Sequence, residues 1–131
     1  MKSSHRLGDL QYAIMRVLWQ REEARVAEVH ADLDGDRALT TIATMLTKME
    51  KKGVVGHRTE GRQFIYHPKV TEAEVHRTMV GDLADKLFQG DLTAMVSHLI
   101  REQDIDTAEL ERLEKLIENA RRGDDEPGGK R

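Results

Sequence analysis

The sequence predicts a mainly α chain with a small β-hairpin wing. It reads as a winged helix-turn-helix over residues 1–69, a helical dimerisation domain over 70–122 and a disordered tail over 123–131. Three observations carry this. Three amphipathic stretches precede residue 53, residues 54–67 switch to a β-branched and aromatic composition around a glycine, and three further apolar stripes at helical spacing follow.

Leu7, Leu10, Ile14, Val17 and Leu18 recur at helical spacing and predict a first helix over about residues 9–20 that Asp9 can cap. Met15 and Trp19 read as core residues. Arg25 opens a short connector. Val26, Val29 and Leu33 predict a second, short helix, which the turn residues Asp34-Gly35-Asp36 end. In the third helix Leu39, Ile42, Met45, Leu46 and Met49 share one face. Thr40, Thr41, Ala43, Thr44, Thr47, Lys48 and Lys51 occupy the others. Lys51-Lys52-Gly53 is a stop, with cations in the last turn and glycine after it.

The run VVGHRTEGRQFIYH predicts a hairpin with its tip at Glu60-Gly61-Arg62, ended by Pro68. Thr71 and Glu74 fit a capping box at the start of a fourth helix, where Val75, Met79, Leu83 and Leu87 follow at four-residue steps until Gly90. Asp91 caps a fifth helix with the stripe Leu92, Met95, Val96, Leu99 and Ile100. Asp106 caps a sixth, with Glu109 in the box position. Its stripe is Leu110, Leu113, Leu116, Ile117 and Ala120, and Gly123 stops it.

Composition narrows the function. At 131 residues with 34% charged and 38% hydrophobic residues, the chain is too charged for a membrane protein and too apolar for full disorder. Its longest apolar run is four residues, Tyr12 to Met15, and the segment MKSSHRLGDL lacks the apolar core of a secretory signal. With no cysteine, neither disulfide nor thiolate chemistry is available. A cytoplasmic protein without membrane insertion is the expectation. The net charge of −3 hides an asymmetry: +3 over residues 1–69 and −6 over 70–131. Residues 37–69 alone carry seven basic against two acidic side chains, a local field suited to a polyanion.

The chemistry of the third helix points to DNA. A major groove admits one helix, Thr hydroxyls and methyls suit base edges and thymine methyls, and lysines at the far end suit phosphates. The candidate contacts are Thr40, Thr41, Thr44, Thr47, Lys48 and Lys51, with Arg62 at the hairpin tip for a phosphate or the minor groove. About 50 residues after Pro68 cannot bury three apolar stripes alone, which predicts a homodimer through Leu83, Leu87, Leu92, Val96, Leu99, Leu110, Leu113 and Ile117. Two reading heads also match a two-fold operator in double-stranded DNA.

Other classes are weaker. Ser97 and His98 are adjacent and point about 100° apart on a helix, so they make no nucleophile–base pair, and no glycine-rich phosphate loop follows a strand. The expectation is no enzyme and no cofactor. The histidines, His5, His30, His57, His67, His76 and His98, form no close metal-ligand signature. Open alternatives are a winged-helix protein-interaction module and a small-ligand or metal-sensing regulator.

Four blocks, LGDLQYAIMRVLW, TTIATMLTKMEKKGVV, EGRQFIYHPKVTEAEV and LADKLFQGDLTAMVSHLI, occur in the order and spacing of a known family. From about Leu7 to Ala120 the chain resembles the penicillinase-repressor family (BlaI/MecI/CopY type) of bacterial transcriptional repressors. The resemblance implies an N-terminal winged helix, a C-terminal helical dimerisation domain and binding to inverted-repeat operators, often of TACA/TGTA type. It implies a recognition helix at about residues 38–52, with Thr40, Thr41, Thr44, Thr47 and Lys48 on the DNA face and Arg62 in the wing motif EGR. Ala43 stands where some members carry a basic residue. In one branch a membrane sensor-protease triggers cleavage of an Asn-Phe bond, and the matching pair here is His98-Leu99. The copper-responsive branch uses a cysteine cluster that this chain lacks.

Overall fold

The computed structural model describes residues 6–34 and 37–123. The elements run α1 (Asp9–Arg21), β1 (Ala24–Arg25), α2 (Val26–Asp32), α3 (Leu39–Lys52), β2 (Val55–Glu60), β3 (Gln63–Pro68), α4 (Glu72–Phe88), α5 (Leu92–Glu102) and α6 (Thr107–Arg122). All six expected helices and the hairpin are present.

Local chemistry explains most boundaries. Gly8, rather than Asp9, is the N-cap of α1: it has extended backbone, and its N–H donates to the Gln11 carboxamide. Asp9 instead lies in the first turn, where its charge favours the positive helix end. Gly53 ends α3 at φ +91°, a left-handed conformation that suits glycine. The Thr71–Glu74 capping box forms in both directions, at 2.9 and 3.1 Å. Asp91 and Asp106 each accept the backbone N–H three residues on, capping α5 and α6. Pro68 is the last residue of β3 rather than a residue beyond it. Asp34 takes φ +67°, which Asp tolerates; Gly35 and Asp36 of the expected turn lie outside the described residues.

The sheet holds one strand that the sequence did not announce. Ala24 and Arg25, expected as a connector, pair antiparallel with Tyr66 and Ile65, giving the order β1-β3-β2. Two residues are too short to show a period of two, and their partner lies some 40 residues away. The hairpin register runs from Val55↔Pro68 to Glu60↔Gln63, so Gly61 and Arg62 form a two-residue turn with Gly61 at φ +63°.

One core joins these elements. Ile14, Met15 and Leu18 of α1, Val29 of α2 and Ile42, Leu46 and Met49 of α3 are completely buried with Val54 and Val55. Trp19, expected in this core, is only half-buried at its edge: its Nε1 donates to the Val70 carbonyl at 3.0 Å, and Tyr12 meets its ring edge-on. Such a placement lets the indole N–H find an acceptor.

The chain divides into two compact units, the first ending at Leu87 and the second beginning at Phe88. The sequence reading put the boundary at residue 69 because Pro68 ends the hairpin. Val75 is buried in the first core, Met79 packs on it, Tyr12 hydrogen-bonds His76 at 2.8 Å and Arg6 pairs with Asp82 at 2.7 Å, so most of α4 belongs to the first unit. The second unit contains α5 and α6, neither of which has a buried residue. Gly123 is the left-handed C-cap of α6; the rest of the expected tail, residues 124–131, lies outside the described residues.

Candidate nucleic-acid interface

The 3.6-residue period of α3 sorts its side chains. Ile42, Leu46 and Met49 are buried, while Thr40, Thr44, Thr47, Lys48 and Lys51 are exposed and Thr41 and Ala43 half-buried. Leu39, placed by its spacing on the core face, is instead 48% exposed. It stands in the first turn of α3 and lines a cleft of about 480 Å³ with Ala43, Thr47, Arg62 and Phe64. This cleft runs between α3 and the wing, and brings the predicted Thr47 and Arg62 together.

The predicted contacts differ in what they are free to do. Lys51 and Lys48 make no ion pair among the described residues. Thr47 is already engaged: its Oγ1 donates to the Ala43 carbonyl at 3.1 Å and is hydrogen-bonded with the Tyr66 hydroxyl. Burial is the main reason the Tyr66 hydroxyl titrates above its ordinary value; the Glu50 charge adds to this and the Thr47 bond offsets part of it. Lys52, beside Lys51 in sequence, turns inward and donates to the Arg6 carbonyl at 2.7 Å and the Gln11 Oε1 at 3.0 Å. Burial, with Arg6 nearby, lowers its pKa.

The wing has two unlike faces, because residues alternate along each strand. His57, Thr59, Phe64 and Tyr66 share the side toward α3. The other side is ion-paired. Arg25 reaches Glu60 at 2.8 Å and Gln63 at 2.6 Å, and Arg58 reaches Glu23 at 2.9 Å and Glu60 at 3.4 Å. Arg58 therefore adds little to the basic field that its sequence count suggested. Arg62 at the exposed tip has no such partner among the described residues. Among the lysines and arginines of α3 and the hairpin, those left without an ion-pair or hydrogen-bond partner among the described residues are Lys48 and Lys51 on the outer face of α3 and Arg62 at the wing tip. The sequence reading missed Arg25, Leu39, Gln63 and Phe64 as cleft residues; the two-residue period of a strand, which sets Phe64 on the face of Tyr66 and opposite Ile65, was the available signal for Phe64.

The expected dimerisation residues are exposed: Leu83 and Leu87 on α4 in the first unit, and Leu92, Val96, Leu99, Leu110 and Ile117 on α5 and α6 in the second. Leu113 is half-buried beside Ile105 and Leu116. Leu92, Val96, Ile100 and Ile117 come together around a second cleft of about 480 Å³. His98 and Leu99 are both exposed within α5, with the His98 ring beside Phe88. Among the described residues no cluster of three His, Asp or Glu side chains could hold a metal ion, and no helix is long and apolar enough to cross a membrane.

Residues 7–119 match the family described as Penicillinase repressor. The transcriptional regulator BlaI of Mycobacterium tuberculosis is 34% identical over 128 residues, covering 95% of this chain and 93% of that protein. The penicillinase repressor of Bacillus licheniformis is 27% identical over 120 residues, covering 90% and 94%. The methicillin resistance regulatory protein MecI of Staphylococcus aureus is 19% identical over 116 residues, covering 87% and 94%. The solution structure of the DNA-binding domain of the repressor BlaI aligns with a TM-score of 0.50 and 33% identity, covering 56% of this chain and 93% of that one.

Proposed function

Because this chain belongs to the penicillinase repressor family, we propose that it is a dimeric transcriptional repressor that binds an inverted-repeat operator through α3 and the wing. The observation that carries this reading is the distribution of charge. Lys48, Lys51 and Arg62 are free of ion pairs among the described residues, while Arg25 and Arg58 on the wing stem are neutralised. Thr40, Thr44 and the half-buried Thr41 supply hydroxyls and methyls to base edges. Free lysines and arginine supply phosphate contacts that fix the register.

The dimer rests on exposed apolar surface. Leu92 and Ile117 are 62% and 54% exposed, and Leu87 63%. Burying such side chains is worth about 1.5–3 kcal/mol each, so a second copy covering several of them gains enough to offset the cost of association. Relief of repression through a membrane sensor-protease is the regulation that the family resemblance implies. The matching bond, His98-Leu99, lies inside α5, so cleavage there requires local unwinding of that helix.

The test is fluorescence anisotropy of the protein on a duplex from its own promoter region and on a scrambled duplex, over a salt series. Tight, sequence-selective binding with a steep salt slope is expected. Weak binding, equal on both duplexes, would point to a protein-interaction module instead.

A further inference from the structure

We propose that Glu50 and His57 form a positioning pair that clamps the wing onto the recognition helix and so sets where Arg62 meets DNA. The proposal rests on the operator-binding reading above and adds two residues to it. Glu50 is the one carboxylate of α3, and it lies between Lys48 and Lys51, which face outward. An ionised carboxylate there would repel phosphates if it pointed the same way. Instead both its oxygens lie against Nδ1 of His57 on β2, at 2.8 and 2.9 Å.

The contact continues toward the tip. The His57 ring stacks on Phe64, with centroids 4.0 Å apart and planes 17° apart, and Phe64 is two residues from Arg62. The backbone pairing of the third strand stops at Ile65 and Tyr66; its Arg25 side chain reaches on to Glu60 and Gln63, but on the side of the sheet away from α3. A two-stranded ribbon on its own is marginal. What holds the outer wing to α3 is therefore the run Glu50, His57, Phe64, with the Thr47–Tyr66 bond nearer the base.

Glu50 of α3 and Tyr66 of β3 face His57, whereas Arg58 and His67 lie on the opposite side of the sheet, near Glu23.

Two measurements test this, one without DNA. Amide hydrogen exchange over residues 58–63 in the free protein is expected to speed up in His57→Ala while α1 amides keep their protection. Unchanged exchange at the wing would overturn the clamp. The second is a double-mutant cycle on the operator duplex. Arg62→Ala is expected to weaken binding about five- to tenfold in the otherwise unaltered protein, and no more than about twofold in the His57→Ala background. Equal losses in both backgrounds would overturn the proposal. Glu50→Gln keeps an oxygen acceptor for the His57 ring N–H, so the effect of Arg62→Ala should persist in that background, whereas Glu50→Ala should reduce it to no more than about twofold. A full Arg62→Ala effect in the Glu50→Ala background would also overturn it. If the unaltered protein shows no operator preference, the operator reading fails, while the exchange experiment still decides the clamp.

Discussion

Arg58 on β2 forms a two-point ion pair with Glu23, the residue before β1: Nη2 lies 2.9 Å from Oε2 and Nε 3.3 Å from Oε1. It ties the chain entering the short edge strand to the middle of the hairpin, 35 residues later. Arg21 and Asp32 make a similar pair between α1 and α2, at 2.7 and 3.1 Å.

Both pairs predict acid sensitivity. Hydrogen bonding to Arg58 lowers the pKa of Glu23, and hydrogen bonding to Arg21 lowers that of Asp32. A carboxyl whose folded pKa is depressed contributes stability above its unfolded value, here the ordinary 4.5 and 3.8, and loses it as pH falls through the folded value. The melting temperature should therefore fall on acidification below the ordinary carboxylate range. Arg58→Ala should remove the Glu23 part of that fall. An unchanged pH profile in the variant would refute the assignment.

Thr44→Glu should abolish operator binding while leaving the oligomeric state and the melting temperature nearly unchanged. Thr44 is exposed in the middle of the outer face of α3, so the new carboxylate meets the groove and not the core. Unchanged affinity in a titration would mean that another face reads the DNA.

Neighbouring lysines should separate cleanly. Lys48→Ala should lower the slope of log affinity against log salt by about one, because one phosphate contact is lost. Lys52→Ala should leave that slope alone and cost about 1 kcal/mol of stability, because its ammonium donates to Arg6 and Gln11. Titrations over a salt series and thermal melts of both variants check this.

Ile117→Asp should shift the protein toward monomer in sedimentation experiments. Ile117 is 54% exposed and sits with Leu92, Val96 and Ile100 on one cleft, so a carboxylate there would be buried unpaired in a dimer. Leu113→Asp should also loosen the second unit itself, since Leu113 is half-buried beside Ile105 and Leu116.

Local signals in the sequence served well where structure is local. The stop at Gly53, the Thr71 capping box and the Asp91 and Asp106 caps all concern bonds spanning three or four residues. The hairpin tip was legible for the same reason. Leu39 was misplaced because spacing alone does not say where the neighbouring helices end. The pairing of β1 was invisible because two residues carry no period. Arg58 counted as free positive charge until folding brought Glu23 beside it.

The sequence by itself determined the kinds and order of the elements, the apolar stripes and the threonine–lysine face of α3, since periodicity and capping act within one helix or hairpin. Tertiary structure alone decided which cations remain unpaired, how far the first unit extends into α4, and that Glu50 turns to His57 rather than outward. The first two depend on side chains far apart in the chain, and the third on how β2 folds back against α3 after Gly53; these placements are set only when the common core of α1, α3 and the sheet closes.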